Sequence, residues 1–327
     1  MLASFIIPAY NASNTIVRCL DSIYSLGLSE QEFEVICIDD CSKDNTISVI
    51  EQYAKQHTNL TLLCQTENHR QGAARNRGVA IAKGKYIVYV DSDDESDKGV
   101  LLALQLADEY NLDMVAMHFA NVDEHGTITE KEPIKLDGVF TGVELQTQQP
   151  YWCTGSVPYV YSVELLKRVN YPFTEDVLFE DSDYVNMHLY HAQRMMYNKE
   201  CSYCIYYNSQ STTHTTSYKH VADYLLLGTR MLKLYHSLED KTSAYALGIL
   251  EGGSYNVWKS CKRLVKLLSM RDVKMFYDRV DQYTNRFDLL NYTKPTYCWT
   301  KWTKLCLGHK RIAMLLIAIG QIIYKLR

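Results

Sequence analysis

Through the first 120 residues, short runs of β-forming residues alternate with stretches whose apolar residues recur at helical spacing. Residues 4–7, 33–38, 60–63, 86–90 and 114–119 are the β runs. Between the first two, Ile16, Cys19, Leu20, Ile23 and Tyr24 make a helical stripe. Asp44-Asn45 can cap a second helix, whose stripe is Ile47, Ile50, Tyr53 and Ala54. Residues 72–83 are small and alanine-rich with Gly84 as a stop signal, and 99–110 are again helical. Such alternation predicts an α/β fold, a parallel sheet covered by helices on both faces. From about residue 220 the pattern turns helical and lysine-rich. A first domain over 1–218 and a helical region over 219–327 are therefore expected.

Polar and acidic residues gather where the β runs stop, at 8–11, 39–44, 68–76 and 91–94. In an open α/β sheet the ligand crevice lies beyond the carboxyl ends of the strands. Each cluster alone also suits an ordinary turn or helix cap. Four together, two of them with paired carboxylates, point to a site. The sharpest case is KGKYIVYVDSDDES, where an apolar run stops at Asp91, Ser92, Asp93 and Asp94. Crowded carboxylates repel unless a cation neutralises them. Hard oxygens suit Mg²⁺ or Mn²⁺, and Mg²⁺ is usually held by one or two carboxylates plus substrate phosphates. A nucleotide or diphosphate ligand is expected. Neither GxxxxGK[ST] nor GxGxxG occurs in this stretch, which argues against a P-loop ATPase and against dinucleotide binding.

The chain has 327 residues, 47% of them hydrophobic, enough for a packed core. A net charge of −4 does not suit nucleic acid as a partner. The charge is uneven: beyond Asp288 there is no acid, and the tail carries +7, which leaves −11 for the rest. Such asymmetry points to a basic segment facing an anionic surface. Ten cysteines show no disulfide framework, and Cys201 and Cys204 form a lone CxxC, a weak case for zinc. The chain therefore reads as one from a reducing compartment. Its first residues read as a strand, not a signal peptide. The N-x-S/T triplets at Asn11, Asn59 and Asn291 read as chance matches.

The stretches FIIPAYNASNTIVRCLDSI, VICIDDCSKDNT, NHRQGAARNRGVAIAKGKYIVYVDSDD and LFEDSDY follow in order. Over about residues 4–215 the chain resembles an inverting family 2-type glycosyltransferase of the GT-A fold. That resemblance implies a Rossmann-like, mostly parallel sheet flanked by helices, with a helical C-terminal extension. The family's usual DDGS stands here as Asp39-Asp40-Cys41-Ser42, which bears on the turn rather than on the carboxylates.

The resemblance also implies roles. Pro8, Ala9 and Tyr10 would lie against the nucleotide base; a core tyrosine is the rival reading of Tyr10. Asp39 or Asp40 would accept hydrogen bonds from base or ribose, the other serving as a turn cap. Arg75 would reach base or diphosphate through its fork, with Asn76 and Gly78 shaping the turn; a surface helix arginine is the alternative. Asp91 and Ser92 would contact the donor, Asp93 and Asp91 the metal, and Asp94 would start a helix nearby. Asp181 would act as general base for the acceptor hydroxyl with Glu180 beside it; both also suit the start of a helix. His214, in YYNSQSTTH, is a candidate metal or phosphate ligand. Asn208 stands where the family often has a basic residue.

The expected reaction moves a sugar from a nucleotide donor, by family habit a UDP-sugar, to a glycan or lipid-linked acceptor, with Mn²⁺ or Mg²⁺. A sugar nucleotidyltransferase and a non-catalytic sugar-nucleotide-binding relative are the alternatives. Residues 312–323 form an apolar stretch too short for the ~20 residues of a membrane span. Flanked by Lys310, Arg311, Lys325 and Arg327, it suits a helix lying in a membrane interface or a core helix. A cytoplasmic protein, peripheral on the inner face of the cell membrane, is the expectation.

Overall fold

The computed structural model describes residues 1–149, 152–209, 217–264, 270–283 and 314. The first strands, β1 (Ala3–Ala9), β2 (Phe33–Asp39), β3 (Leu60–Cys64) and β4 (Tyr86–Tyr89), pair in parallel in the order β3-β2-β1-β4. Each is followed by a helix: α1 (Ile16–Tyr24), α2 (Thr46–Ala54), α3 (Arg70–Ile81) and, after the two-residue β5 (Glu95–Ser96), α4 (Gly99–Glu109). Every residue of β1, β2 and β4 is buried, as expected of parallel strands covered on both faces.

The sheet continues through β6 (Met114–Val122), β7 (Ile128–Glu130), β8 (Tyr159–Ser162) and β9 (Met195–Tyr206). β8 lies antiparallel between β4 and β6, β9 runs parallel to β6, and β5 pairs antiparallel with β9. β7 forms a hairpin with β6. Strands β1, β2, β3, β4, β6 and β9 thus share one direction, so the sheet is mostly parallel. β8 carries no sequence signal because four residues are too few to display a period.

α1 buries Ile16, Cys19, Leu20 and Ile23, one face at i, i+3, i+4 and i+7. Burial of such a side chain stabilises the fold by about 1.5–3 kcal/mol. α3 is small because it approaches the sheet closely: a Cβ on Gly78 would stand 2.5 Å from Ile6 Cγ2. At the end of the sheet away from the acids, buried Glu34 accepts from Ser4 Oγ (2.7 Å) and Lys83 N–H (2.6 Å). The Gly84 N–H in turn donates to Ser4 Oγ at 2.9 Å. This network ties β1, β2 and the start of β4 together and holds their opposite ends in register. Two short helices, α5 (Gly142–Gln148) and α6 (Val163–Val169), are capped by Thr141 and Ser162.

The chain divides into two compact units. The first, 1–176 with 187–209, holds the sheet and α1–α6. The second, 177–186 with 210–327, holds α8 (Tyr218–Ser237), α9 (Ala244–Leu264) and α10 (Met270–Tyr283). Its core joins Val221, Leu225 and Leu232 of α8 to Val257 and Cys261 of α9 and Phe276 and Tyr277 of α10. α7 (Asp181–His191) runs across the division. No helix among the described residues is long and apolar enough to cross a membrane.

Candidate active site

β1 and β2 end side by side, with Ala9 in register with Asp39. The chain leaves β1 at Pro8 and Ala9, both buried, into Tyr10, which is 49% exposed and so is not a core tyrosine. Asn11, at φ 51°, turns the chain, and its side chain accepts from Lys43 N–H at 2.8 Å.

Asp39 and Asp40 have different surroundings. Asp40 Oδ1 accepts from Gln65 Nε2 (2.7 Å) and from His69 N–H (2.8 Å). Burial raises its pKa, with the His69 N–H pulling the other way. Asp40 thereby pins the loop before α3. Asp39 is fully buried; Oδ2 accepts from Ser42 N–H at 2.9 Å, and Oδ1 has no hydrogen-bond partner among the described residues. A buried carboxylate oxygen without a donor is costly, and it can be satisfied by an N–H or O–H of a ligand. Cys41 sits at φ 64°. The turn after the two aspartates is left-handed, the conformation that glycine adopts most easily.

β4 delivers the second acidic cluster. Arg75 lies on α3 fully buried, not at the surface, and its Nη2 donates to Asp91 Oδ1 at 2.7 Å. The Phe173 ring lies 5.3 Å from the Arg75 guanidinium carbon. Arg75 therefore orients Asp91 and offsets its charge. Ser92 is half-buried within the turn that the Asp94 N–H closes on the Asp91 carbonyl at 3.1 Å. Asp93 Oδ2 accepts from Asn208 Nδ2 at 2.8 Å, and its carbonyl accepts from Arg18. Arg18 also pairs with Glu95 at 2.9 Å and lies 3.9 Å over the Tyr206 ring.

Asp94 does not start a helix. It precedes β5, is almost fully buried, and accepts from the Tyr203 hydroxyl (3.0 Å) and the Tyr206 N–H (2.8 Å). Burial, then Asp91 and Asp93, raises its pKa well above the carboxylate range. Burial and Asp91 also raise that of Asp93. Tyr203, Asn208 and Arg18, which hold this turn, were not among the sequence candidates, although Asn208 was visible as a departure. No local pattern marks Tyr203 because its partners lie more than 100 residues away.

A divalent cation fits this donor set. Asp91 and Asp93 offer hard oxygens; burial first and then the charge of Asp91 raise the Asp93 pKa, and a cation would relieve the second of these. No group of three or more metal-ligating side chains is gathered among the described residues. The pattern of one or two carboxylates completed by substrate phosphates accommodates that.

Glu180 and Asp181 belong to the second unit. Asp181 opens α7, with Asp183 in the same first turn, where negative charge is favoured by the helix dipole. Glu180 is fully buried. The segment before them is held by the Leu178 N–H donating to Asp223 Oδ2 (2.9 Å) and by Phe179. Phe179, at φ 64°, stacks on Tyr224 with centroids 4.1 Å apart. His214 and, apart from Met314, the apolar stretch 312–323 lie outside the described residues.

Residues 4–161 match the model of the family described as glycosyl transferase family 2. Over 103 residues the chain is 40% identical to a poly(ribitol-phosphate) beta-glucosyltransferase of Bacillus spizizenii, covering 31% of this chain and 16% of that protein. Over 255 residues it is 26% identical to the uncharacterized glycosyltransferase YibD of Escherichia coli, covering 74% and 73%. The fold is shared with Staphylococcus aureus TarS, residues 1–349, crystallised with UDP-GlcNAc. The TM-score is 0.70 at 20% identity, over 99% of this chain and 92% of that one.

Proposed function

We propose that this chain, whose residues 4–161 match the model of glycosyl transferase family 2, moves a sugar from a nucleoside diphosphate to an acceptor hydroxyl. The observation that carries the reading is the pairing, in one unit, of a buried unsatisfied Asp39 oxygen with the crowded acids that follow β4. In this reading Asp39 Oδ1 accepts from the base, and the exposed Tyr10 ring stacks on it. Pro8, Ala9 and Asp40 hold the wall behind. Asp91 and Ser92 meet the ribose and diphosphate, with Arg75 fixing the Asp91 carboxylate. Asp93, with Asp91, would hold Mn²⁺ or Mg²⁺, which would supply positive charge against the departing diphosphate. Asp181 takes the proton of the acceptor hydroxyl, with Glu180 beside it, and direct attack inverts the anomeric centre.

UDP is the nucleotide we propose; the UDP-GlcNAc bound by S. aureus TarS, which has the same fold, supports it. The name of the B. spizizenii relative supports an acceptor that is a polyol-phosphate chain. A cytoplasmic location, on the inner face of the membrane where the acceptor is lipid-linked, is part of the same proposal.

The test is release of UDP from UDP-GlcNAc and UDP-glucose with Mn²⁺, together with UDP affinity by calorimetry. Asp93→Ala should weaken both. Asp181→Asn should leave UDP affinity intact and slow transfer to acceptor by about a hundredfold or more. Equal UDP release by wild type and Asp93→Ala would remove the metal from the reading. Failure to bind any of a panel of nucleoside diphosphates would remove the reading itself.

A further inference from the structure

α9 is amphipathic in an uncommon way. One face, Leu250, Val257, Cys261 and Leu264, is buried in the core of the second unit. The rest of the helix carries Tyr255, Trp258, Lys259, Lys262 and Arg263. Each cation lies over aromatic rings. Lys259 Nζ is 5.0 Å from the Tyr255 centroid and 5.7 Å from that of Tyr224. Lys262 Nζ is 4.9 Å from Trp258. The Arg263 guanidinium carbon is 5.1 Å from Phe179 and 5.3 Å from Tyr224.

Ring faces hold a cation in place without cancelling its charge. Carboxylates would cancel it, yet none of the three cations forms an ion pair among the described residues. In sequence no acid occurs between Glu251 and Asp272, a stretch that also contains Lys266 and Arg271. In sequence, the residues after Asp288 likewise include no Asp or Glu. Lys262 is exposed and Lys259 half-exposed, so both can be reached from solvent. The row ends at Phe179, the residue before Glu180 and Asp181 in the same unit.

We propose that the Lys259, Lys262 and Arg263 face of α9 binds the phosphodiesters of a polyol-phosphate acceptor chain. Tyr255 and Trp258 hold the ammonium groups toward the chain and offer ring edges to its carbon backbone. Repeated phosphates meet a line of cations, and each ammonium serves as a point charge for one of them. This deepens the transferase reading above and rests on it for placing the acceptor beside Asp181.

The test uses the full chain and a synthetic ribitol-phosphate hexamer, with neutral maltohexaose and phosphatidylglycerol vesicles as comparison ligands. Wild type should bind the hexamer and not maltohexaose. Affinity should fall about tenfold or more between about 50 and about 200 mM NaCl, as counterion release requires. The Lys259→Gln/Lys262→Gln variant should lose about tenfold or more in hexamer affinity at low salt, and Lys259→Arg/Lys262→Arg should retain it. UDP affinity, measured in the same samples, should stay within about twofold, because neither lysine is among the residues assigned to the nucleotide. Hexamer binding equal in wild type and the glutamine variant overturns the proposal, as does no binding by wild type at low salt. Loss of vesicle binding with hexamer binding retained assigns the face to a lipid surface and also overturns it. If wild type binds the hexamer through these lysines but binds no nucleotide, the anion site stands and the transferase reading fails.

Discussion

The Tyr203 hydroxyl donates to Asp94 Oδ2 at 3.0 Å and accepts the Asp91 N–H at 2.9 Å, so one phenol on β9 holds both ends of the acidic turn after β4. Tyr203 is fully buried, and burial pushes its own pKa far up, which keeps it protonated as a donor. Three carboxylates crowd this turn, and the phenol limits how far they can splay. Tyr203→Phe should lower stability by about 1–3 kcal/mol, the cost of leaving buried polar groups unpaired. It should also weaken Mn²⁺-dependent UDP binding by about threefold or more while metal-free binding changes less. Chemical denaturation and calorimetry check the two halves. A destabilised variant with unchanged metal-dependent affinity would confine Tyr203 to a structural role.

Asp39 is the carboxylate with an unsatisfied buried oxygen, whereas Asp40 is committed to Gln65 and His69. Asp39→Asn should keep the Ser42 contact and lose the charged acceptor. A hydrogen bond to a charged group is worth about 1.5–3 kcal/mol, so UDP affinity should fall about tenfold to a hundredfold. Preference for UDP over GDP should shrink, read by competition calorimetry. An unaltered preference would shift base recognition away from Asp39.

Cys41 occupies a left-handed backbone position, φ 64°, where glycine is the residue that fits most easily. A side chain there costs about 1–2 kcal/mol, against an entropic cost of about 0.5–1 kcal/mol for introducing glycine. Cys41→Gly should therefore raise stability by about 0.5–1 kcal/mol, visible as a shift in the denaturation midpoint. A drop in stability would mean that the Lys43 Nζ contact to the thiol, at 3.1 Å, outweighs the strain.

Asp44 links the loop after β1 to the start of α2, accepting from Ser13 N–H (3.1 Å) and Thr46 N–H (3.0 Å). Slight burial raises its pKa, but hydrogen bonds from Thr46 and Ser13 prevail and bring it down to about 2 from 3.8. A depressed acid stabilises the fold above its unfolded value and loses that contribution as pH falls through its folded value. The contribution should be complete by about pH 5 and mostly gone near about pH 2. Because the group is exposed, screening leaves about 1 kcal/mol. The stability difference between wild type and Asp44→Ala, measured by urea titration across that range, should shrink by about that amount on acidification.

Much of this was legible in the residue order. Apolar runs ending in acids, with helical stripes between them, suffice for a parallel sheet with acids at the strands' carboxyl ends. Period and polarity are local properties of a chain. The stripe Ile16, Cys19, Leu20, Ile23 became the buried face of α1 for that reason. Periodicity could not show β8, whose four residues sit between β4 and β6 because the sheet left a space there.

The amino-acid sequence by itself determined the α/β order, the strand-end acids and the helical character of the later chain, because short-range pattern and propensity govern these. Tertiary structure alone decided which acid does what. Packing separated Asp39 from Asp40, drew Arg75 inward to Asp91, and brought Tyr203 to Asp94 across more than 100 residues. Packing also set Lys259 and Arg263 of α9 over aromatic rings contributed by other segments. Hydrogen bonds and charge contacts act over a few ångströms of space, and chain order does not encode which distant side chains will share it.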